Sequence, residues 1–408
     1  MTSRFHLYIL VSVFSVSYVK IGYGESGVEL GVSLTGEYAA RLIKPDAPTP
    51  RTEHRTVLSL PVSLDTAKLF KIDLGTITAQ GLFIKEDAHM ARGISLVDDV
   101  HAYSNLKAED RLQLFELYWE HDWGRWLTRI GKLDANDHFA VSEHEAYLIN
   151  GASGFSPSIF GLPSYPDSAW SAQLAYRLPR FDILAGVFDG GSTTISPTPT
   201  GSRMWLSPSA QSGKLFWVAQ VTTHLGTIDP QLNTAATPED RLRPQQSDRG
   251  FRARAPLHLT LGVWTHQGEV LPPPTEQTSN GSSGGVYLTG DVEVTRFSHG
   301  GEVGLGFQVA MSPAYFPLHA SVALTIDDLT APLLWGDHGL KAALGVSHIG
   351  IDEGAQGFGL GSSSEELVEL SLTLPITPHM LFGLTGMSIL MEREVAHLIV
   401  SRLTIGAL

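Results

Sequence analysis

Residues 129–161 concentrate side chains that could do chemistry, in the run RIGKLDANDHFAVSEHEAYLINGASGFSPSIFG. Carboxylates and histidines gather in its first half: Asp134, Asp137, His138, Glu143, His144 and Glu145. Two carboxylates at a suitable separation can act on a glycosidic bond as acid and base, and carboxylates with histidines can bind a metal ion. The Gly, Ser and Pro residues that follow are typical of a long loop, whose charges would be solvated.

The histidines do not have the spacing of a zinc-protease helix. Such a helix needs a second histidine four residues after the first, and Leu148 stands four residues after His144. A metal site and a glycosidase-like pair of carboxylates stay open as alternatives to ordinary loop charges, which we favour. The choice depends on the scaffold that positions this run.

The composition excludes several classes of site. With no cysteine among its 408 residues, the chain has no disulfide, thiolate metal site or cysteine nucleophile. Its 42 acidic residues against 28 basic ones give a net charge of −14, which predicts that nucleic acid is not a partner. We also expect no cofactor.

The N-terminus has the pattern of a secretory signal peptide. Arg4 is followed by the apolar run LYILVSVFSVSYV, residues 7–19, which is too short for a membrane-spanning helix of about 20 residues. We predict a signal peptide over residues 1–24, cleaved near Gly24, followed by a single domain over residues 25–408. A first buried strand is the alternative for this run.

From Val28 onward, apolar and polar residues alternate along the whole chain. In VELGVSLTGEY, for example, Val28, Leu30, Val32 and Leu34 share one face, which is the period of a strand with one apolar side. This pattern predicts sixteen strands, near residues 27–39, 54–65, 71–83, 111–121, 125–133, 168–178, 181–189, 213–223, 255–267, 285–297, 301–312, 317–327, 338–349, 366–376, 379–390 and 395–407.

Alternating strands build either a soluble sandwich or a membrane barrel, and three features favour the barrel. The polar faces are rich in Gly, Ser and Thr, as expected of a barrel lumen. Short turns mostly alternate with long loops, apart from a long connection over residues 224–250, which we interpret as an insertion or a miscounted strand. Aromatic residues near predicted strand ends suit interfacial girdles: Trp119, Trp123, Trp126, Trp170, Trp217, Trp264, Phe297 and Phe382. We predict an all-β, transmembrane antiparallel β-barrel of about 16 strands, of the outer-membrane type.

The alternation also assigns faces to the strands that flank the opening run. It places Leu114, Glu116, Tyr118 and Glu120 together on one face of residues 111–121. Because a charge facing lipid at mid-depth costs about 2–4 kcal/mol, Glu116, Glu120 and Arg129 should line the lumen. An ion-pair ladder across strands would occupy the same place.

Residues 111–190 resemble the carbohydrate-selective porins of the OprB family over about 80 residues in order. The resemblance rests on LQLFELYWEHDWGRWLTRIGKLDANDHFAVSE, on LINGASGF and on a Pro-rich return into an alternating hairpin. Its central run has Arg129, Gly131, Lys132, Asp134, Asn136 and Phe139 at the family's positions. The resemblance implies a sixteen-stranded outer-membrane barrel that passes sugars by facilitated diffusion.

We therefore expect a carbohydrate porin and not an enzyme, with neutral sugars, outer-membrane lipid and the barrel-assembly machinery as partners. An unselective or charged-solute porin is the alternative, and a barrel enzyme or a secreted sandwich stays open. The long loop of residues 134–167 is a candidate constriction or sugar-contact loop. The expected pore-lining and sugar-contacting residues are Glu116, Tyr118, Glu120, Arg129, Lys132, Asp134 and Asn136.

Overall fold

The structure is a computed structural model that describes most of the strands and the loops packed between them. The described residues are 22–23, 27–42, 52–86, 103–106, 108, 110–154, 156–159, 161–189, 214–225, 257–267, 283–297, 301–313, 316–329, 339–352, 363–377, 380–392 and 394–406.

Sixteen strands form the wall. Their bounds are β3 (Ser33–Leu42), β4 (Thr52–Asp65), β5 (Thr76–Glu86), β6 (Arg111–Asp122), β7 (Trp126–Leu133), β8 (Ala169–Arg177), β9 (Phe181–Asp189), β10 (Leu215–Leu225), β11 (Leu257–His266), β12 (Ser283–Arg296), β13 (Glu302–Met311), β14 (Leu318–Leu329), β15 (Leu340–Gly350), β16 (Ser364–Thr377), β17 (Met380–Met391) and β18 (Glu394–Gly406). The short strands β1 (Gly22–Tyr23) and β2 (Val28–Leu30) precede them.

The wall is a closed antiparallel β-barrel. Each wall strand pairs with its neighbour in the chain, and β18 pairs with β3, so that Ile405 lies opposite Leu34. The strand β2 pairs with the end of β4, and β1 pairs with β2. Closure leaves no wall strand with an unpaired edge, which is what a strand-built wall needs in lipid.

Among the described residues, three short segments of helix interrupt the strands. The helix α1 (Thr66–Phe70) joins β4 to β5, and Asp65 caps its first turn by accepting hydrogen bonds from the amides of Ala67 and Lys68. A 3-10 turn (Glu145–Tyr147) and the helix α2 (Gly151–Gly154) lie between β7 and β8. None of the helices among the described residues is long and apolar enough to cross a bilayer.

Two rims can be distinguished by their connections. At the short-turn rim, residues 66–75, 123–125, 178–180 and 297–301 join successive strands. At the long-loop rim, residues 87–110, 134–168 and 190–214 join them instead, although the connections over residues 312–317 and 392–393 at this rim are short. Short turns at one rim and long loops at the other are typical of outer-membrane barrels, whose short turns face the periplasm.

The side chains alternate as in a membrane barrel. In β16, Glu365, Leu367 and Glu369 are buried on the inner face, whereas Val368 and Leu370 are exposed on the outer face. Exposed apolar residues occupy the outer face of the other strands in the same way, with Leu261 and Val263 on β11 as examples. An apolar outer face and a polar inner face match a lipid-embedded wall.

The sequence predictions of the fold are confirmed, with two local corrections. The sixteen predicted strands match β3–β18, with bounds that differ by up to six residues, while residues 226–256 and most of the predicted signal peptide lie outside the described residues. A β-bulge at Phe115 shifts the register, so that Glu116 pairs with Gln80 but Leu114 pairs with Gly81. The alternation predicted that Leu114 and Glu116 lie on the same face of β6. The bulge makes this prediction wrong.

The second correction concerns one of the girdle aromatics. Trp264 is 4% exposed and stacks on Phe216 at a ring-centroid distance of 5.7 Å, on the inner face of the barrel. Trp123, Trp126 and Trp217 are exposed, as interfacial residues should be. Proximity to a strand end does not determine which face of the sheet a side chain occupies. The alternation along the strand determines it, and it places Trp264 on the inner face.

Candidate functional site

The long loop of residues 134–167 begins at the end of β7, next to β6. We call this region, which includes Glu116, Lys132, Asp134 and Asn136, the loop root, and its geometry depends on one glycine. Gly131 has φ +147°, and a side-chain carbon there would lie 2.2 Å from the carbonyl oxygen of Leu117. Glycine is therefore required for β7 to pass this close to β6. Beyond Gly131, β7 continues for two residues and then enters the loop at Asp134.

Asp134 ties together the two ends of the loop. Its carboxylate accepts hydrogen bonds from the amide of Asn136 (2.8 Å) and from the amide of Tyr165 (2.9 Å), and its own amide donates to Glu116 (3.0 Å). Asn136 donates from its side chain to the carbonyl of Gly154. Burial raises the pKa of the Asp134 carboxyl above its usual range.

Three more of the predicted residues lie beside this root. Arg129 is 3% exposed and forms an ion pair with Glu120 at 2.7 Å, across β6 and β7. Tyr118 lies opposite Thr78 of β5 in the sheet register. The structure thus brings Glu120 and Arg129 together, and the side chain of Glu120 keeps 26% of its surface exposed.

Lys132 takes a different position from the one expected for a pore-lining cation. It is 7% exposed, and its ammonium group donates to the backbone carbonyl of Leu114 at 2.6 Å. This bond joins the end of β7 to the irregular part of β6 beside the bulge. Glu116, Lys132, Asp134 and Asn136 are thus all engaged within the loop root, and their contact with a sugar stays a prediction.

From this root the loop follows the inner face of the wall. Gln220 of β10 donates to the carbonyl of His138 (2.9 Å) and accepts from the amide of Ala140 (3.2 Å). Asp291 of β12 accepts hydrogen bonds from the hydroxyl of Ser142 (2.8 Å) and the amide of His144 (3.0 Å). The loop is therefore bound to the barrel wall well away from the strands that it connects.

Farther along, the 3-10 turn inserts a carboxyl group into the wall. Glu145 is fully buried and accepts hydrogen bonds from the hydroxyl of Ser321 (2.7 Å) and from the side-chain amide of Gln308. Both donors are neutral. Burial raises the pKa of the Glu145 carboxyl to about 7.

The middle of the loop is held by Glu369 of β16. Its carboxylate accepts hydrogen bonds from the amide of Ile149 (2.7 Å), from the amide of Asn150 (3.2 Å) and from the side chain of Asn150 (2.7 Å). The hydroxyl of Ser371 donates to the same carboxylate at 2.6 Å. Because β7 and β16 lie on different parts of the circumference, this attachment carries the loop through the barrel interior.

Glycines of the wall make room for these contacts. A side-chain carbon at Gly304 of β13 would lie 1.8 Å from the His144 ring, and one at Gly345 of β15 would lie 2.2 Å from Leu148. His144 is held there by a hydrogen bond of 2.8 Å between its Nδ1 and the hydroxyl of Thr325. The wall is thus shaped to the loop as well as bonded to it.

A second inner cluster of charges lies on β3, β4, β5 and β18, and sequence reasoning missed it. Arg55 forms ion pairs with Glu37 (2.7 Å) and with Glu86, and Arg402 pairs with Glu37 at 2.6 Å. All four lie on the inner face of their strands. Alternation alone could have assigned them to that face, but not their pairing.

This cluster binds residues 103–108, which also enter the barrel. Ser104 donates to Glu37 at 2.9 Å, and the amide of Ala108 donates to Glu86 at 3.1 Å. Tyr103 is fully buried and donates its hydroxyl to Glu53. Two connecting segments, one with described residues 103–106 and 108 and the other spanning residues 134–167, therefore contact the inner wall.

The structure does not gather the carboxylates and histidines of the opening run into one site. Asp134 contacts Glu116 of β6, His144 contacts Thr325 of β14, and Glu145 contacts Ser321 of β14 and Gln308 of β13. Among the described residues, no group of three or more His, Asp or Glu side chains is arranged to hold a metal ion. The contacts observed for this run attach the loop to the wall.

Comparisons with known proteins agree with this architecture. The family model of the carbohydrate-selective porins, the OprB family, matches residues 49–314. No curated protein matches the chain in sequence.

Among solved structures, the chain is similar to the high-pH structure of OprB from Pseudomonas putida, with a TM-score of 0.73, 13% identity and 94% of each chain covered. It is also similar to the low-pH structure of that protein (TM-score 0.53, 12% identity, 94% of this chain and 93% of the other). A loop-deletion mutant of OmpT, an outer-membrane protein of Vibrio cholerae, follows with a TM-score of 0.51 and 9% identity over 93% of this chain and 98% of the other. At such identities the solved structures show the fold.

Proposed function

The chain belongs to the OprB family of carbohydrate-selective porins, and we propose that it passes neutral mono- and small oligosaccharides through the outer membrane by facilitated diffusion. The family and the barrel fold are those of a channel in the outer membrane. In our proposal the solute crosses without any chemical conversion. The two inserted segments, residues 103–108 and 134–167, narrow the channel.

The observation that carries this proposal is that the inner-wall cations stand in ion pairs. Arg129 pairs with Glu120, Arg55 with Glu37 and Glu86, and Lys341 with Asp327 at 3.2 Å. A lumen whose cations are neutralised in this way offers no positive field to attract anions. It still offers many donors and acceptors, which can replace the water hydrogen bonds that a sugar loses on entry.

We assign the expected site residues to two roles. Tyr118, Glu120 and Arg129 are the proposed sugar contacts, because the ion pair keeps part of its surface accessible and an aromatic ring beside it can receive the apolar face of a pyranose. Glu116, Lys132, Asp134 and Asn136 are proposed as positioning residues that hold the loop root. Contacts of this kind must stay weak so that the sugar can leave again.

Liposome swelling tests the proposal. We would compare entry of glucose with entry of a zwitterionic amino acid of similar size and with entry of a charged solute. Faster entry of glucose is expected. Equal rates for glucose and the amino acid would indicate an unselective porin, and faster entry of the charged solute would indicate a charge-selective one; either result contradicts the proposal.

An Arg129→Gln variant sharpens the test. It should reduce the preference for glucose while leaving the barrel folded, since glutamine can still hydrogen-bond Glu120. The matched control is Arg296→Gln, because Arg296 pairs with Glu293 at 2.5 Å at the exposed end of β12. A loss of preference in the control as well would show that the effect does not come from the lumen.

We also propose that residues 1–24 direct export and that the barrel-assembly machinery inserts the folded wall. Cleavage near Gly24 would remove β1 but none of the sixteen wall strands. N-terminal sequencing of protein from purified outer membranes should begin within a few residues of position 25. An intact Met1 on inserted protein would contradict this proposal.

A further inference from the structure

Three exposed cations lie on three successive turns of the short-turn rim. Lys71 follows α1 between β4 and β5, Arg125 lies in the β6–β7 turn, and Arg180 lies in the β8–β9 turn. The structure gives none of these three side chains an acidic partner among the described residues. In a chain of net charge −14, this is a local excess of positive charge.

Other basic side chains near this rim are paired with carboxylates. Lys68 lies 3.9 Å from Asp65, Arg177 lies 2.9 Å from Asp122, and Arg296 lies 2.5 Å from Glu293. Two further acids lie in the same stretch: Asp73, whose carboxylate lies 3.8 Å from His121 Nδ1, and Asp182, whose carboxylate lies 2.9 Å from His224 Nε2. The three cations therefore exceed the nearby free acids.

Large apolar side chains flank each of the three cations and are exposed. They are Phe70, Ile72 and Leu74 beside Lys71, Trp123 and Trp126 beside Arg125, and Phe181 beside Arg180. Between 40% and 66% of the surface of each is exposed. Trp126 faces outward from the wall, in the zone where aromatic residues meet the membrane surface.

Contacts between the turns make this surface continuous. Trp119, on the outer face of β6, donates its indole N–H to the carbonyl of Leu74 and stacks on His121 at 5.9 Å. The His121 ring in turn contacts the Trp123 ring, with 4.0 Å between the ring centroids. The amide of Arg177 donates to the carbonyl of Arg125 at 2.8 Å, which joins the second turn to the third.

We propose that this surface, Lys71, Arg125 and Arg180 with their flanking apolar residues, binds the phosphate headgroups of anionic phospholipids. Acyl chains would pack on the exposed aromatic and aliphatic side chains, and headgroup phosphates would meet the three cations. Basic residues next to an apolar surface at a membrane interface recognise anionic lipid in this way. The lipid is a second ligand of the barrel, bound on its outer surface and separate from the solute in the lumen.

Native mass spectrometry of the full-length protein can test the proposal. The protein in detergent would be equilibrated with phosphatidylglycerol or with phosphatidylcholine of the same acyl chains, and the retained lipids counted. The parent protein should retain more phosphatidylglycerol. The triple variant Lys71→Gln, Arg125→Gln, Arg180→Gln should lose this preference by on the order of tenfold, because each basic residue at an anionic surface strengthens binding.

Two controls show whether the lipid preference comes from this surface. Arg296→Gln removes one cation at the same rim but outside the surface, and it should keep the preference. Inorganic phosphate, added at the concentration of lipid used, should leave the retained lipid unchanged. Displacement by inorganic phosphate would overturn the lipid assignment in favour of a site for free phosphate.

The remaining outcomes are equally decisive. A folded triple variant that still prefers phosphatidylglycerol would overturn the proposal. If the triple variant did not fold, each single variant would be measured, and three folded single variants with the parent preference would overturn it too. Glucose-induced swelling should be unchanged in all these variants, since none of the three residues lies in the lumen.

Discussion

On β3, β4 and β5 the buried carboxylates Glu37 and Glu86 contact the guanidinium group of Arg55, whereas on β12 and β16 Asp291 and Glu369 accept hydrogen bonds from neutral groups of the loop. Both arrangements hold a connecting segment inside the barrel. In the first, opposite charges compensate one another across strands. In the second, hydrogen-bond donors of the loop compensate the buried carboxylates. These carboxylates therefore lose their donors whenever the loop undocks from the wall.

The difference predicts different weaknesses. A cation-paired cluster fails when its cation is removed, because buried acids are left uncompensated. A cluster bonded by neutral donors fails when the loop leaves, or when the buried Glu145 of the loop ionises. Substitutions in the two clusters should therefore produce unlike defects.

The largest effect is expected for Arg55→Ala. This change leaves Glu37 and Glu86 buried without their shared cation, which should reduce the free energy of unfolding by about 3–5 kcal/mol. Urea denaturation in detergent, followed by tryptophan fluorescence, measures it. Arg296→Ala is the control, since its half-exposed ion pair should contribute less than about 1 kcal/mol; equal losses in the two variants would contradict the comparison.

The next effect is expected for Glu369→Ala on β16. The amides of Ile149 and Asn150 lose their acceptor, at a cost of roughly 2–4 kcal/mol to loop docking. The loop should become protease-sensitive, and single-channel current should become noisier. Glu366→Ala is matched to it, because Glu366 lies on the same strand with an exposed side chain; a loop that stayed protected in Glu369→Ala would argue against this attachment.

A pH dependence should distinguish the two arrangements further. The pKa of Glu145 is raised to about 7 by burial, so the docked loop favours the protonated acid. The stabilisation is fully present below the ordinary value near 4.5 and is lost as pH rises through 7, with a total of about 3 kcal/mol. Protease sensitivity of the loop should increase from about pH 5 to about pH 8.

Glu145→Gln should reduce that increase. The remainder is assigned to Asp134, whose pKa is raised by burial in the same direction. A pH dependence that was unchanged in both Glu145→Gln and Asp134→Asn would show that neither acid controls docking.

The smallest effect is expected for Gly304→Ala. The new methyl group would collide with the His144 ring, and displacing that ring should cost about 1–3 kcal/mol of loop docking. Single-channel conductance reports the change. In Gly386→Ala the methyl group meets no atom within 4 Å, so this control should conduct like the parent.

The strands could be predicted because alternation is a local property. Residues 111–121 were predicted as a strand and Arg111–Asp122 is the strand observed, since each residue's face follows from its immediate neighbours. The bulge at Phe115 could not be predicted, because one extra residue leaves the apolar pattern intact while it shifts the pairing.

The contacts that hold the inserted segments could not be predicted in this way, because they join residues that are far apart in the sequence. Glu369 and Asn150 are 219 positions apart, and Arg402 and Glu37 are 365 apart. Alternation could place each of these residues on an inner face, but partners depend on strand register and on the path of the loop. Glu116 was identified by alternation, Asp134 by its residue type in the opening run, and Asn136 by the resemblance to the OprB family, while their hydrogen bonds depend on the folded loop.

The pairing of β18 with β3 has a consequence for how the barrel is made. At this seam the hydroxyls of Thr35 and Thr404 lie 3.1 Å apart, although 369 positions separate them. Until the final wall strand has been synthesised, β3 has no partner on that side, and a nascent chain carries an unpaired, aggregation-prone edge. Contacts of such large sequence separation form slowly, because the ends of a long chain must first meet. Closure of this wall is therefore a late and cooperative step in the folding of the barrel.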